Sequence, residues 1–240
     1  MLSALDVSEI VTVVTTLLVY CVAVTVAGYF RARVALAMGD DTPERMGFLT
    51  FDPFAHIDYV GLFILFFTNF RFGWGRYIII NDTYMVGPRA WLKKIAAYFS
   101  DTFLHILFSS LGLCSLMIAF GPSLFVLGLP VILFAQITPQ AFAHAYPTYS
   151  SIAITLGFIG IIWTYFNAMF ATLSFIMNGV RWVLLAIPQE WKEWRYFDLV
   201  VIFAPVVVIM FFSGFIYLLV IRSMLLLASA MLALSKLITG

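Results

Sequence analysis

The chain has 240 residues, of which 63% are hydrophobic, 18% aromatic and 10% charged, with a formal net charge of +1 and a mean hydropathy of +1.05. Soluble domains are about 45–50% apolar and about 25% charged, so this composition excludes an ordinary soluble enzyme and a secreted disulfide scaffold. The balanced charge provides no basic face for a nucleic acid. About 20 consecutive apolar residues cross a bilayer as a helix, so the composition is typical of an integral membrane protein.

Long apolar runs alternate with polar stretches along the chain. The first run covers about residues 10–38, which is too long for the core of a signal peptide and predicts a retained span. We expect this span to end at Arg31 and Arg33, with Gly39 as the helix stop. The run 59–70 is too short to cross a bilayer, which favours a re-entrant or interfacial element. Further apolar runs cover roughly 91–120, 122–146, 151–187 and 199–238, and an interfacial loop lies at 188–198.

These runs predict an all-α polytopic membrane protein with about five to six transmembrane helices and one short re-entrant or hairpin element. The sequence has no internal repeat, so residues 1–240 are predicted to form a single integral membrane domain. If the short element dips into the bilayer and returns, the polar stretches 39–58 and 71–94 lie on one face. The Lys and Arg residues of 71–94 favour the cytoplasmic face. Since no Ser-rich, Arg-rich transit segment begins the chain, we expect a bacterial or organelle inner membrane.

The first polar stretch, at 39–58, has the sequence GDDTPERMGFLTFDPFAHID. It resembles the G-D-x-T … G-R-L-T-x-N-P-x-x-H-I-D stretch of the site-2 protease family, which are intramembrane zinc metallopeptidases. The segment GWGRYIIIN at 73–81 is similar to the family's G-W-A-K-P-V-x-V-N, and GPR at 87–89 to its N-P-R. The resemblance covers about residues 27–105 and implies a site-2-protease-like core there, with additional transmembrane helices in 106–240.

The positions that carry the family's chemistry are changed in this chain. Family members have H-E-x-x-H on the first span, where two His bind zinc and the Glu activates the metal-bound water. Counted back from the G-D motif, those positions hold Ala27, Gly28 and Arg31. A segment similar to the family's D-G-x-R holds Asn178 at the third ligand position. Asn is a weaker zinc ligand than a carboxylate, and Arg31 would repel a dication. The resemblance therefore implies a degenerate member with no catalytic residue, no metal and no other cofactor.

Other polar side chains are candidates for structural or partner contacts. His56, in the family-like loop, is expected to bond the loop backbone, and Asp101 and His105 are expected to pair on one helix face. Arg181 and Arg222 lie in apolar runs, where a charge is costly, so we expect them to snorkel or to pair with an acid. An ion path that uses Asp101 with either arginine is the alternative. The candidates are Asp40, His56, Asp58, Asp101, His105, Arg181 and Arg222.

We therefore expect a non-catalytic binding, scaffold or accessory subunit of a membrane complex. Its expected partners are other integral membrane proteins and lipids, and not nucleic acid. Two alternatives stay open. One is an intramembrane metallopeptidase with non-standard ligands such as His56, His105 and Asp101. The other is a transporter or ion-conducting subunit that uses Asp101 and Arg222.

Overall fold

The computed structural model describes residues 7–68, 72–121, 139–185 and 187, together with isolated positions between 214 and 233. This part of the chain is mostly helical and contains no strand. Three of its helices are long and apolar enough to cross a membrane, namely Glu9–Ala37, Ala90–Phe120 and Ser151–Leu184. The helical membrane class is thus supported, whereas the predicted total of five to six spans is not confirmed. Most of the predicted runs 122–146 and 199–238, and the loop 188–198, lie outside the described residues.

The described helices follow one another in the order expected from the apolar runs. They are α1 (Val7–Ala37), α2 (Thr42–Arg45), α3 (Pro53–His56), α4 (Tyr59–Phe67), a 3₁₀ helix (Asp82–Tyr84), α5 (Ala90–Phe120), α6 (Pro139–Ala145) and α7 (Ser151–Leu185).

The end of α1 agrees with the predicted helix stop at Gly39, and the predicted membrane boundary at Arg31 and Arg33 stays a prediction. The helix does not end at Arg31 and Arg33 but continues to Ala37. It can continue because Arg31 is buried against other helices, so its charge does not have to mark the membrane boundary. Gly39 is the helix stop, as expected, with a φ of +108° that favours glycine.

α4 has nine residues, a length of about 14 Å, which cannot cross a hydrocarbon layer of about 30 Å. This agrees with the prediction of a short element that does not span. Its first turn is capped by Asp58, whose carboxylate accepts a hydrogen bond from the Gly61 N–H at 2.8 Å. In place of the expected hairpin edge, the described residues contain a single antiparallel bridge, which joins Ile57 and Gly75.

The three long helices form one bundle, in which α5 packs most extensively against α7 and both contact α1. Tyr20 lies beside Phe170 and Arg31 beside Asn178, so α1 and α7 run in the same direction. α5 runs in the opposite direction, because its contacts with α7 move towards the start of α7 as α5 proceeds. The ends of α1 and α7 therefore meet the start of α5 at one end of the bundle.

Small residues let α1 lie close to its neighbours. Four alanines on this helix are at most 3% exposed, and a stripe of small side chains allows close packing of membrane helices. They are Ala23, Ala27, Ala32 and Ala35. At the end of the bundle, Ala35 belongs to a core cluster with Ile80, Met85, Ala97 and Tyr98. This cluster adjoins the polar site described next.

Candidate functional site: a buried arginine network between three helices

Arg31 joins all three long helices through its guanidinium. The side chain lies one turn after Ala27 on α1 and is only 4% exposed. Its Nη1 donates to Asp101 Oδ2 at 2.8 Å, on α5, and to Asn178 Oδ1 at 2.9 Å, on α7. Its Nη2 donates to the hydroxyl of Tyr77 at 3.3 Å. Tyr77 belongs to the segment without regular secondary structure that precedes the 3₁₀ helix.

Asn178 completes a closed set of hydrogen bonds. Its Oδ1 accepts from Arg31, while its Nδ2 donates to Asp101 Oδ1 at 3.1 Å and to Ser174 Oγ at 3.0 Å. Both carboxylate oxygens of Asp101 are therefore used. We call Arg31, Asp101 and Asn178 the Arg31 network. A buried charge is tolerated when it is paired and hydrogen-bonded, and Arg31 is paired and bonded through Nη1 and Nη2, while its buried Nε has no partner among the described residues.

A second arginine, Arg181, contacts the same tyrosine ring as Arg31. The Cζ atom of Arg181 lies 3.2 Å from the centroid of the Tyr77 ring, and that of Arg31 lies 4.9 Å from it. Both distances permit a cation–π interaction, which strengthens when the cation is desolvated. Asp101 thus pairs with Arg31, and not with Arg181 or Arg222 as the ion-path hypothesis required. Arg222 is exposed and forms no ion pair among the described residues.

His56 occupies the space beside Gly28 on α1. Its Nε2 lies 2.8 Å from the carbonyl oxygen of Thr50, the backbone bond that the sequence predicted. Because a carbonyl only accepts, Nε2 carries the hydrogen, and the buried Nδ1 has no partner among the described residues. A Cβ atom on Gly28 would overlap the imidazole at Nδ1.

The charge state of His56 follows from this burial. Desolvation lowers the pKa of His56, against smaller opposing influences from the Thr50 carbonyl and the Asp52 carboxylate. His56 is therefore a neutral imidazole at pH 7, packed against Gly28 of α1.

Asp40 ties the two polar stretches together. It is fully buried, its Oδ1 accepts from the Thr42 N–H at 3.0 Å, and its Oδ2 accepts from the Asn81 N–H at 2.8 Å. Since Asn81 belongs to the second polar stretch, both stretches lie at the same end of the bundle, as expected. Asp40 and the α4 cap Asp58 are therefore engaged with the loop backbone.

Asp101 and His105 do not form the expected pair. His105 is buried, and its Nδ1 lies 2.9 Å from Asn167 Oδ1 on α7. Asp101 bonds Arg31 and Asn178 instead. The reason is tertiary: α5 meets two helices, and each of its polar side chains bonds across to one of them.

The Arg31 network does not fit a metal ion. The Asp101 carboxylate and the Asn178 amide oxygen, which could ligate a cation, already accept from a guanidinium that is positively charged at every physiological pH. In the described part of the chain, no three His, Cys, Asp or Glu side chains lie together in a group that could hold a metal. No metal-dependent step can be derived from these residues.

Two members of the site were not identified from the sequence. Ser174 could have been found, because it lies four residues before Asn178 on the same face of α7. Tyr77 had no such signal, since it belongs to a segment without regular secondary structure that reaches the helices only in the folded chain.

A part of this chain is similar in sequence to a known bacterial protein. The Bacillus subtilis (strain 168) protein named "Putative zinc metalloprotease YwhC" is 36% identical to this chain over 93 residues. The match covers 38% of this chain and 41% of that protein, so the chain spans about two fifths of the length of the relative. No family model matches the chain, and no solved structure matches it. The described part of the chain is thus mostly helical, with three helices that could cross a membrane, and 93 residues of the chain are similar to a protein named as a putative zinc metalloprotease.

Proposed function

We propose that this protein is a catalytically inactive, site-2-protease-like membrane protein that binds another integral membrane protein as a scaffold or accessory subunit. The Arg31 network carries this proposal. A metallopeptidase needs a metal to activate a water molecule, and a general base beside it. Here Arg31 holds the oxygens of Asp101 and Asn178, and Gly28 provides no base.

An exposed aromatic surface supports the binding role. It surrounds α3 and α4, beside the loop that is similar to the family's. Large exposed apolar patches mark sites of interaction with proteins or membranes. Since α4 is too short to span, we infer that this surface contacts a transmembrane segment of the partner. We call it the aromatic surface, and it comprises Phe51, Phe54, Tyr59, Phe63 and Phe67.

The catalytic half of the proposal is tested on the purified protein in detergent. Zinc is measured by mass spectrometry of the element, and cleavage is measured with a labelled transmembrane peptide, beside an active zinc metallopeptidase as a positive control. We expect substoichiometric zinc and no cleavage. One zinc per chain, together with cleavage that a chelator abolishes, would overturn the proposal.

The binding half is tested by photo-crosslinking in native membranes. A photoreactive amino acid is placed at Phe54 on the aromatic surface or at Ile118 on α5, which are similarly exposed at 69% and 65%. A specific partner should form a discrete adduct with a membrane protein from Phe54, and a second substitution, Phe51→Ser, should weaken that adduct. The same adducts from both positions would show only lipid-phase encounters and would refute the binding role.

A further inference from the structure

Among the described residues, the cluster around Tyr77 contains more positive than negative charge. The guanidiniums of Arg31 and Arg181 contact the same ring, so their Cζ atoms are at most about 8 Å apart. Asp101 directs its two oxygens to Arg31 and Asn178. Within the described residues, Arg181 has the ring of Tyr77 but no carboxylate.

Neighbouring charges do not remove this excess. Lys94 and Asp82 neutralise each other in an ion pair of 2.7 Å. The carbonyl groups at the end of α7 contribute about half a negative charge, which is less than one guanidinium requires. With no carboxylate beside it in the described part of the chain, Arg181 is suited to attract an anion.

The position of Arg181 along α7 indicates which anion is available. The helix has 35 residues, a length of about 52 Å, so its ends extend beyond a hydrocarbon layer of about 30 Å. Arg181 lies about 6 Å before the last residue, Leu185. Beside it, Trp182 and Tyr98 form an edge-to-face ring pair at 6.0 Å. Trp and Tyr are enriched at the headgroup level of membranes.

From this arrangement we propose that Arg181, supported by Tyr77 and Arg31, binds the phosphate of an anionic phospholipid headgroup. Tyr77 stacks on a face of the Arg181 guanidinium and also hydrogen-bonds with it, which leaves the remaining N–H donors at its edge for an oxyanion. The planar fork of arginine matches phosphate oxygens. An acidic side chain of a protein partner would satisfy the charge, but the depth of Arg181 and its aromatic neighbours favour the lipid. This inference does not depend on the proposed function.

The test measures lipid retention by native mass spectrometry of the full chain, released from nanodiscs that contain equal amounts of phosphatidylglycerol and phosphatidylcholine. The wild type should retain phosphatidylglycerol preferentially. Arg181→Gln should reduce this preference about fivefold, the effect of one basic residue near a membrane surface. Arg181→Lys, which keeps the charge, should retain most of it. Arg45→Gln, which removes an exposed charge that is already paired with Asp41, should leave it unchanged.

Several results would overturn the proposal. They are an unchanged preference in Arg181→Gln, an equal loss in Arg45→Gln, or displacement of the lipid by a Glu-bearing transmembrane peptide at equimolar amounts. If Arg181→Gln does not fold, the proposal is tested by the lipid preference of the wild-type protein alone. Its preference for phosphatidylglycerol must exist and must weaken in high salt, because exposed electrostatic contacts are screened. A salt-independent preference, or none, would contradict the assignment.

Discussion

Arg31 shows how a single residue changes the character of the site. Its charge would be costly in contact with lipid, but it is buried and bonded to Asp101 and Asn178. Removing one member of such a pair leaves the other buried and unpaired, which costs more than the pair contributes net. Single and double substitutions should therefore have unequal effects.

We predict that Arg31→Met or Asp101→Leu lowers the free energy of unfolding by about 3–5 kcal/mol, and that the double variant loses less than the sum. Denaturant unfolding in detergent would measure this. The matched control is Arg45→Met, which breaks an exposed pair with Asp41 and should leave stability unchanged. A loss from Arg31→Met no larger than that from the control would contradict a structural role for the network.

His56 predicts a pH dependence of stability. Because burial lowers its pKa in the folded protein, the unfolded chain binds a proton first as the pH falls. The stabilisation is complete above the unfolded pKa of about 6.5, and it is lost progressively below that value until the folded protein also binds the proton.

Thermal unfolding between pH 8 and pH 5 should show this loss in the wild type and a smaller loss in His56→Gln. The difference between the two proteins isolates His56 from the other two histidines. Identical pH profiles would mean that His56 is not buried in its neutral form.

At the residue scale, the sequence identified Arg31 and Asn178 by their spacing from family-like motifs, but not their contact. They lie 147 residues apart in sequence, and Asp101 lies 70 residues from Arg31. Local pattern carries no information about which of several charged residues meet across such separations. The ion-path hypothesis and the Asp101–His105 hypothesis therefore both selected Asp101. They assigned it partners other than Arg31 and Asn178, which it contacts in the structure.

At the scale of helices, α5 and α7 are held together by polar contacts and close approach. Asn167 meets His105 at 2.9 Å, and Thr102 bonds Ser174 at 3.0 Å. Such hydrogen bonds and small residues drive the association of helices in a membrane, because the lipid is as apolar as the helix surfaces and the hydrophobic effect does not favour their contact. Gly112 marks the closest approach, since a Cβ there would lie 2.5 Å from Thr164 Oγ1 and 3.0 Å from Trp163 Cδ1.

We predict that Gly112→Ala lowers the free energy of unfolding by about 1–3 kcal/mol, because the added methyl overpacks the interface. Gly179→Ala is the control on α7, where the added atom meets nothing within 4 Å. It should be neutral or stabilising by up to about 1 kcal/mol, as alanine is the better helix former. Thermal unfolding of both variants compares them, and equal losses would argue against a close contact at Gly112.

The apolar runs predicted α5 and α7 to within a few residues, because a long apolar segment in a membrane protein has few structures other than a helix. At the end of α1 the predicted helix stop at Gly39 is confirmed, whereas the predicted membrane boundary at Arg31 and Arg33 stays a prediction. Two arginines in sequence resemble a membrane boundary, but one of them is neutralised inside the bundle.

At the scale of the whole molecule, the ends of α1 and α7 and the start of α5 lie together, and both polar stretches accompany them. The basic residues of 71–94 favour the cytoplasmic face for this end. Residues between α6 and α7 belong to the opposite end of the bundle.

Cysteine accessibility would measure this topology. After Cys21→Ala and Cys114→Ala, single cysteines replace the exposed residues Glu44, Thr83 or Ser150. In intact cells, an impermeant thiol reagent should label the cysteine at 150 and spare those at 44 and 83. Labelling of positions 83 and 150 from the same side would contradict the antiparallel order of α5 and α7.

The sequence by itself determined the membrane class and three of the long helices, because hydropathy and helix length are local properties. The assignment of Arg31 and Asn178 to the positions of the family's zinc ligands rests on the resemblance and stays a prediction. Only the tertiary structure decided that Arg31 bonds Asp101 and Asn178 across three helices, and that His56 fills the space beside Gly28. These contacts join residues far apart in sequence, and the physical reason for them is the need to neutralise and hydrogen-bond a charge buried between helices.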